Sequence, residues 1–219
     1  MSIALWYCPV PGTYQYEVLK QLIVSLQTIF PTSPLFEPHI TLATKLQCEN
    51  KEKIDEILTS CVAAVQSIKG QLQQSNGTPL VSFDECCINK KFFKKVTLNC
   101  NQNKYLVSMA RIMQELYSEG DGEDANGTWE PHVSLLYSDV TPISKAFVRI
   151  IQQRIEDALD VRLIEDTSIA SNEQYKNDIQ TKWKFDRKPS LNWNLPGSFK
   201  IVRCEGPIGE WMVIGRIDI

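Results

Sequence analysis

The chain has two histidines, and both fall in nearly the same hexapeptide: Glu37-Pro38-His39-Ile40-Thr41-Leu42 and Glu130-Pro131-His132-Val133-Ser134-Leu135. Proline biases the residue before it toward extended backbone, and the β-branched residues that follow favour a strand, so each histidine begins or lies early in a strand. Side chains two apart on a strand share a face, so His39 points with Thr41 and His132 with Ser134. Ile40, Leu42, Val133 and Leu135 then turn to the packed side. Two imidazoles and two hydroxyls brought together suit in-line displacement at phosphorus. A neutral His takes the proton of the attacking oxygen, and a protonated His supplies one to the leaving oxygen. Thr41 and Ser134 would hydrogen-bond the non-bridging oxygens as their charge grows. Histidine fits both roles because its ordinary pKa, near 6.5, makes either state accessible at neutral pH. Zinc is a weaker reading: no Cys or His partner stands at ligand spacing, although Glu37 or Glu130 would complete a site. A lone strand histidine is more often structural, but chance does not predict a shared Glu-Pro prefix, a hydroxyl two positions on and a Leu after it.

The elements that must carry these motifs follow from periodicity. Ser2 to Cys8 alternates as a strand, and Val18, Leu19, Leu22, Ile23, Leu26 and Ile29 recur at helical spacing. Phe36 to Thr44 returns to period two. A second helix runs from Ile54 through Val65 and ends at Gly70. Leu80 to Ile88 and Phe92 to Cys100 read as a hairpin around Asn89 to Lys91, Tyr105 to Tyr117 as a helix, His132 to Tyr137 as a strand and Ile143 to Leu159 as a helix. Phe199 to Cys204 and Trp211 to Ile219 close the chain as a strand pair, and residues 164–196 read as a connection without assigned elements. Strands and helices interleave in two similar sets, which predicts an α+β fold with antiparallel sheets covered by helices.

Composition narrows the function. Lys and Arg total 23 against 26 Asp and Glu, a net charge of -3, where a protein gripping a long phosphate backbone is usually basic. No long nucleic acid is expected as a partner. No apolar run approaches the ~18 residues of a membrane span, and the start has no basic n-region. The expectation is a soluble, intracellular and chiefly cytoplasmic monomer, with nothing in the sequence opposed to an endomembrane association. Seven cysteines form no C-x-x-C pair, which favours free thiols over a disulfide framework or a zinc knuckle. Neither G-x-G-x-x-G nor a Walker-type phosphate loop occurs. No cofactor is expected.

The repeated H-x-T and H-x-S motifs resemble those of the two-histidine phosphoesterase superfamily, and longer stretches are similar to its fungal cyclic phosphodiesterases. These stretches are Ala4 to Pro9, Phe36 to Leu42, Ser60 to Ile68, Gln152 to Val161 and Trp211 to Ile219, and the likeness spans the whole chain. The resemblance implies one bilobal domain, residues 1–219, with two antiparallel sheets facing across a central cleft and helices outside. It implies His39 and His132 as catalytic residues, with Thr41 and Ser134 completing the tetrad. The implied reaction, without metal, converts ADP-ribose 1'',2''-cyclic phosphate to ADP-ribose 1''-phosphate and nucleoside 2',3'-cyclic phosphates to nucleoside 2'-phosphates, within tRNA splicing metabolism. Which histidine is base and which acid stays open, because the motifs are nearly symmetric.

The resemblance also places a ligand-contacting tyrosine at Tyr137, whereas alternation turns Tyr137 away from His132 unless a bulge or strand end reorients it. Trp6, at the end of the first strand, is a candidate to stack on base or ribose, or else a core residue. Lys90, Lys91, Lys94 and Lys95 around Phe92 and Phe93 could reach a phosphate, though a solvated turn over two buried phenylalanines is the stronger reading. Cys86 and Cys87 read as ordinary strand residues, and Ser168 to Thr181 and Gly120 to Gly127 as loops. The rival functions are an RNA-end phosphodiesterase, a 2'-5' RNA ligase-like enzyme and a binding module without turnover.

Overall fold

The computed structural model describes residues 2–48, 50–74, 78–119, 129–167 and 178–219. Its elements are β1 (Ile3–Cys8), α1 (Tyr14–Ile29), β2 (Ile40–Ala43), α2 (Lys51–Gln74), β3 (Phe83–Asn89), β4 (Val96–Cys100), α3 (Lys104–Tyr117), β5 (His132–Leu136), α4 (Lys145–Leu159), β6 (Leu163–Glu165), β7 (Ile179–Phe185), β8 (Ser198–Arg203) and β9 (Met212–Asp218). The fold is α+β. Side-chain caps start three of the helices where the hydrophobic period begins: Thr13 accepts from the Tyr16 amide, Asn103 from Tyr105 and Ser144 from Phe147, each satisfying a donor the first turn cannot use. None of the helices is long and apolar enough to cross a membrane among the described residues.

The strands form one antiparallel sheet in the order β6-β7-β3-β4-β5-β2-β1-β8-β9. The sequence reading has two sheets facing a cleft; the hydrogen bonding instead runs continuously through nine strands, its halves joined where Ile40 of β2 pairs with Val133 of β5. Each half contributes a strand-helix-strand unit, β1-α1-β2 and β4-α3-β5. The helices straddle the seam, α1 touching β5 and α3 touching β2. Leu19, Leu22, Ile23 and Leu26 of α1, Leu106, Met109 and Met113 of α3, and Ile151 and Ile155 of α4 join Leu5, Tyr7, Ile40, Leu42, Val133 and Leu135 in one buried cluster. The opposite parity of β1 and β8, Ala4, Trp6, Cys8 and Val202, forms a smaller cluster with Cys204 and Trp211. The site lies on that second face.

Three expectations need correction. The second helix runs through Gly70 to Gln74: a Cβ there would meet nothing within 4 Å, and an exposed glycine weakens a helix by only about 1 kcal/mol without stopping it. Phe92–Lys94 is a 3-10 turn, not the start of β4. The unassigned stretch contains β6 and β7, whose polar residues lie at and next to the sheet edge. All seven cysteines are free thiols. The Gly120 to Gly127 loop and residues 168–177 of the Ser168 to Thr181 loop lie outside the described residues.

Candidate active site

Antiparallel pairing of Ile40 with Val133 sets the geometry of the site. Continued one residue each way, that register places His39 opposite Ser134 and Thr41 opposite His132, so the four residues surround a local twofold axis at the seam. Ile40, Leu42, Val133 and Leu135 are fully buried on the helix side, which fixes the register because a one-residue slip would turn them all outward.

Each imidazole is held by its own chain. His39 Nδ1 lies 2.6 Å from the Glu37 carbonyl oxygen and His132 Nδ1 lies 2.9 Å from that of Glu130. A carbonyl only accepts, so both rings carry Nδ1–H, and Nε2 is the nitrogen that exchanges protons. The prolines between explain the repeat, because extended backbone at Glu37 and Glu130 turns each carbonyl back toward its imidazole.

Beyond this the two rings differ. His39 is 5% exposed and stacks on Trp6, with ring centroids 3.7 Å apart and planes 11° from parallel. Burial lowers its pKa to about 4, with lesser contributions of the same sign from His132 and from the Lys200 ammonium, against the opposing bond to Glu37. That displacement is worth roughly 3 kcal/mol against the imidazolium, more than the ~0.5–2 kcal/mol a stacked ring offers a cation. His39 is therefore neutral at pH 7. His132 is half-buried and pairs across the ladder with Asn99, in a row where Thr97 donates to Asn99 at 2.9 Å and Asn99 to Cys87 Sγ at 3.4 Å.

Tyr137 lies on the histidine side, contrary to simple alternation. Thr97 pairs with Ser134 and Val96 with Leu136, so Leu135 is an extra residue on β5, and this bulge reverses the parity beyond it. The Tyr137 hydroxyl stands 3.5 Å from His39 Nε2, and burial raises its pKa far enough to keep it protonated. The other motif has the same device: Trp6 pairs with Thr41 and Leu5 with Ala43, making Leu42 the extra residue. Thr41 is half-buried, and Ser134 Oγ donates to the Phe93 carbonyl at 2.8 Å.

The structure also brings in residues the sequence reading missed. Phe36 stacks on Tyr137, centroids 3.8 Å apart, while Trp129 Nε1 donates to the Thr41 carbonyl at 3.2 Å. Each motif thus sends its leading aromatic across the seam to brace the other. The signal was present, since the repeat extends one residue earlier as Phe36-Glu37-Pro38-His39 and Trp129-Glu130-Pro131-His132. Lys200, 3% exposed, holds both Glu37 carboxylate oxygens at 2.5 and 2.6 Å, anchoring the residue whose carbonyl orients His39. The lysine cluster divides: Lys95 is buried, donating to the Lys90 carbonyl and Thr141 Oγ1. Phe93 is exposed, correcting the expectation of two buried phenylalanines. Burial raises the thiols of Cys86 and Cys87 well above their ordinary range, which leaves them poor nucleophiles. Among the described residues, no three or more His, Cys, Asp or Glu side chains converge as metal ligands.

An imidazole held neutral, a second whose Nδ1–H is fixed in the same way, and two hydroxyls on one face amount to a proton-transfer pair around a site for a tetrahedral anion. Comparison with known proteins agrees with that chemistry. The profile of the family described as cyclic phosphodiesterase-like protein matches residues 1–219. The chain is 49% identical over 239 aligned residues to the 2',3'-cyclic-nucleotide 3'-phosphodiesterase of Saccharomyces cerevisiae, covering the whole of both chains. It is 39% identical to the protein of the same description in Kluyveromyces lactis, over all of this chain and 99% of the relative, and 35% identical to that of Eremothecium gossypii over the full length of both.

Proposed function

The chain belongs to the cyclic phosphodiesterase-like family, and from that premise we propose that it hydrolyses nucleoside 2',3'-cyclic phosphates to nucleoside 2'-phosphates by two-histidine acid-base catalysis. The observation that carries this reading is the pair of imidazoles tied through Nδ1 to the carbonyls of Glu37 and Glu130 beside Thr41 and Ser134.

His39 acts as the general base. Its burial under Trp6 supports this role, since a neutral imidazole has its Nε2 lone pair ready for the proton of the attacking water. His132 enters protonated and gives its Nε2 proton to the leaving 3'-oxygen as the P–O3' bond breaks, so the phosphate stays on O2'. The proton gained at His39 and the one lost at His132 balance after exchange with solvent. Thr41 donates to a non-bridging oxygen, and Ser134 exchanges its bond to the Phe93 carbonyl for the other. Tyr137, kept protonated by burial, occupies the His39 side of the site until water and substrate replace its long contact to Nε2. Both proton transfers come from the chain's own side chains, so the reaction needs no metal.

The reading extends to ADP-ribose 1'',2''-cyclic phosphate and to tRNA splicing metabolism on the strength of the family resemblance, with the two halves of the sheet acting as lobes that each give one motif to a cleft. Small nucleotide substrates accord with the net charge of -3, and the setting we propose is cytoplasmic. Incubating the protein in EDTA with adenosine 2',3'-cyclic phosphate, and separately with the ADP-ribose compound, tests it by phosphorus NMR. The expected products are the 2'-phosphate and the 1''-phosphate, lost in His39→Ala. Turnover of neither, with RNA ends processed instead, contradicts it.

A further inference from the structure

Asn99 of β4 stands across from His132. The next pair along the ladder, Cys100 with Pro131, carries the backbone hydrogen bond, so Asn99 and His132 form a pair without one. Side chains lie closest in such pairs, with Cα atoms about 4.5 Å apart. The orientation of the Asn99 amide follows from a carbonyl two side chains away. The Lys94 carbonyl can only accept, so the end of Asn89 that meets it at 2.6 Å is Nδ2. Nδ2 also donates to Thr97 Oγ1 at 3.4 Å, and the Thr97 hydroxyl passes its single hydrogen to Asn99 at 2.9 Å. Asn99 therefore turns Oδ1 to Thr97 and Nδ2 away from it. One Nδ2 hydrogen goes to Cys87 Sγ at 3.4 Å; the other has no partner among the described residues. Thr97 and Cys87 are buried, whereas Asn99 keeps partial exposure on the face that carries the tetrad.

We infer that Asn99 donates this remaining Nδ2–H to the leaving 3'-oxygen of the substrate. The inference rests on the cyclic-phosphate reading of the same site and adds a second donor to the leaving atom. On that reading His132 protonates O3', which places O3' next to His132, and Asn99 is the cross-strand neighbour of that residue. As the P–O3' bond breaks, its electron pair moves onto O3' and one proton crosses from His132 Nε2. Another lone pair of the same oxygen stays available, and the Asn99 N–H binds it without giving up its hydrogen. Thr97 and Cys87 hold the amide in place beforehand, so no reorganisation is needed when the charge develops. Asn99 then acts on kcat rather than on KM.

The test compares adenosine 2',3'-cyclic phosphate with the analogue in which sulfur replaces the 3'-oxygen. A thiolate is a far weaker base than an alkoxide and leaves with little need of a proton or a hydrogen bond. Asn99→Ala is expected to lower kcat roughly ten- to hundredfold for the oxygen compound and to leave the sulfur compound nearly unchanged. Thr97→Val keeps the side-chain shape and removes the hydroxyl that fixes the amide, so it should give a smaller loss of the same selective kind. In a His132→Ala background, Asn99→Ala should still slow the oxygen compound, because an alkoxide without its acid needs the donor more. An oxygen-to-sulfur rate ratio that neither Asn99→Ala nor Thr97→Val changes overturns the assignment while leaving the hydrolase reading standing. A loss that vanishes in the His132→Ala background overturns it too, since Asn99 would then act only through the imidazole. A wild type that hydrolyses neither compound contradicts the site reading itself, and this inference with it.

Discussion

Beside His39, strand β1 presents Trp6, whose ring covers the imidazole; beside His132, strand β4 presents Thr97 and Asn99, which hydrogen-bond along the sheet. One row further out the contrast continues. Lys200 sits across from Trp6 and holds Glu37, whereas Cys87 sits across from Thr97, with Glu85 paired to Lys182 at 2.7 Å. The hexapeptides themselves differ only by Ile for Val and Thr for Ser between His and Leu. Similar motifs with the same Nδ1 tether therefore stand in different surroundings set by the neighbouring strand, and desolvation under Trp6 lowers the proton affinity of His39. A duplicated motif can supply both members of an acid-base pair in this way.

Removing either ring should have the largest effect. His39→Ala and His132→Ala are each expected to cut turnover by at least ~10²–10⁴ with the fold retained, and the double variant should be little worse than the poorer single one, since the two act as a unit. Circular dichroism with steady-state kinetics checks this; near-normal rates in a folded variant would remove that histidine from the mechanism. Thr41→Ala and Ser134→Ala should cost less, up to the ~2.7–4 kcal/mol of a donor to developing charge, read in kcat rather than KM. Unchanged kcat would detach the hydroxyls from the transition state.

Trp6→Ala sharpens the comparison by making the two environments alike. Water then reaches His39, and its pKa should rise from about 4 toward 6.5. Because a protonated His39 cannot accept a proton, the pH below which kcat/KM falls should rise with it. A profile identical to wild type would show that Trp6 does not control the imidazole. In the wild type, the unfolded chain takes up the His39 proton near pH 6.5 and the folded chain only near 4. Stability should therefore fall as pH drops through that window, by up to roughly 3 kcal/mol, and His39→Gln should remove this part of the slope in urea titrations. The smallest effect is expected from Lys200→Met. Glu37 keeps partial access to solvent, so the loss of its partner should cost about 1–3 kcal/mol, below the range for a fully buried pair, measured as a lower urea midpoint.

Much of the site was legible because its signals are local. The Pro-His-β-branched order fixes a strand start, and period two fixes which residues share a face. Tyr137 was misplaced by that rule because alternation fails at a bulge. The adjacent pairs Leu42-Ala43 and Leu135-Leu136, both buried, mark where it fails. Phe36 and Trp129 precede each Glu-Pro and stood in plain view, but their role is to reach across the seam, a long-range contact that periodicity does not encode. The Lys200–Glu37 pair likewise joins residues far apart in sequence through strand order alone. Strand β7 escaped notice because its sequence, Ile-Gln-Thr-Lys-Trp-Lys-Phe, buries only Trp183 fully and otherwise reads as polar connection. The continuous sheet was not legible either, since a seam made at Ile40–Val133 has no sequence signature beyond the motifs themselves.

The central claim is that both imidazoles are held in the same tautomer and that the strand beside His39 keeps that ring neutral. Because the chain has only two histidines, a nitrogen-15 NMR titration of both rings, assigned with His39→Gln, measures it directly. The account predicts Nδ1–H tautomers for both neutral rings and a His39 that stays neutral down to about pH 4. Titration of His39 near 6.5, or an Nε2–H tautomer at either ring, would contradict it.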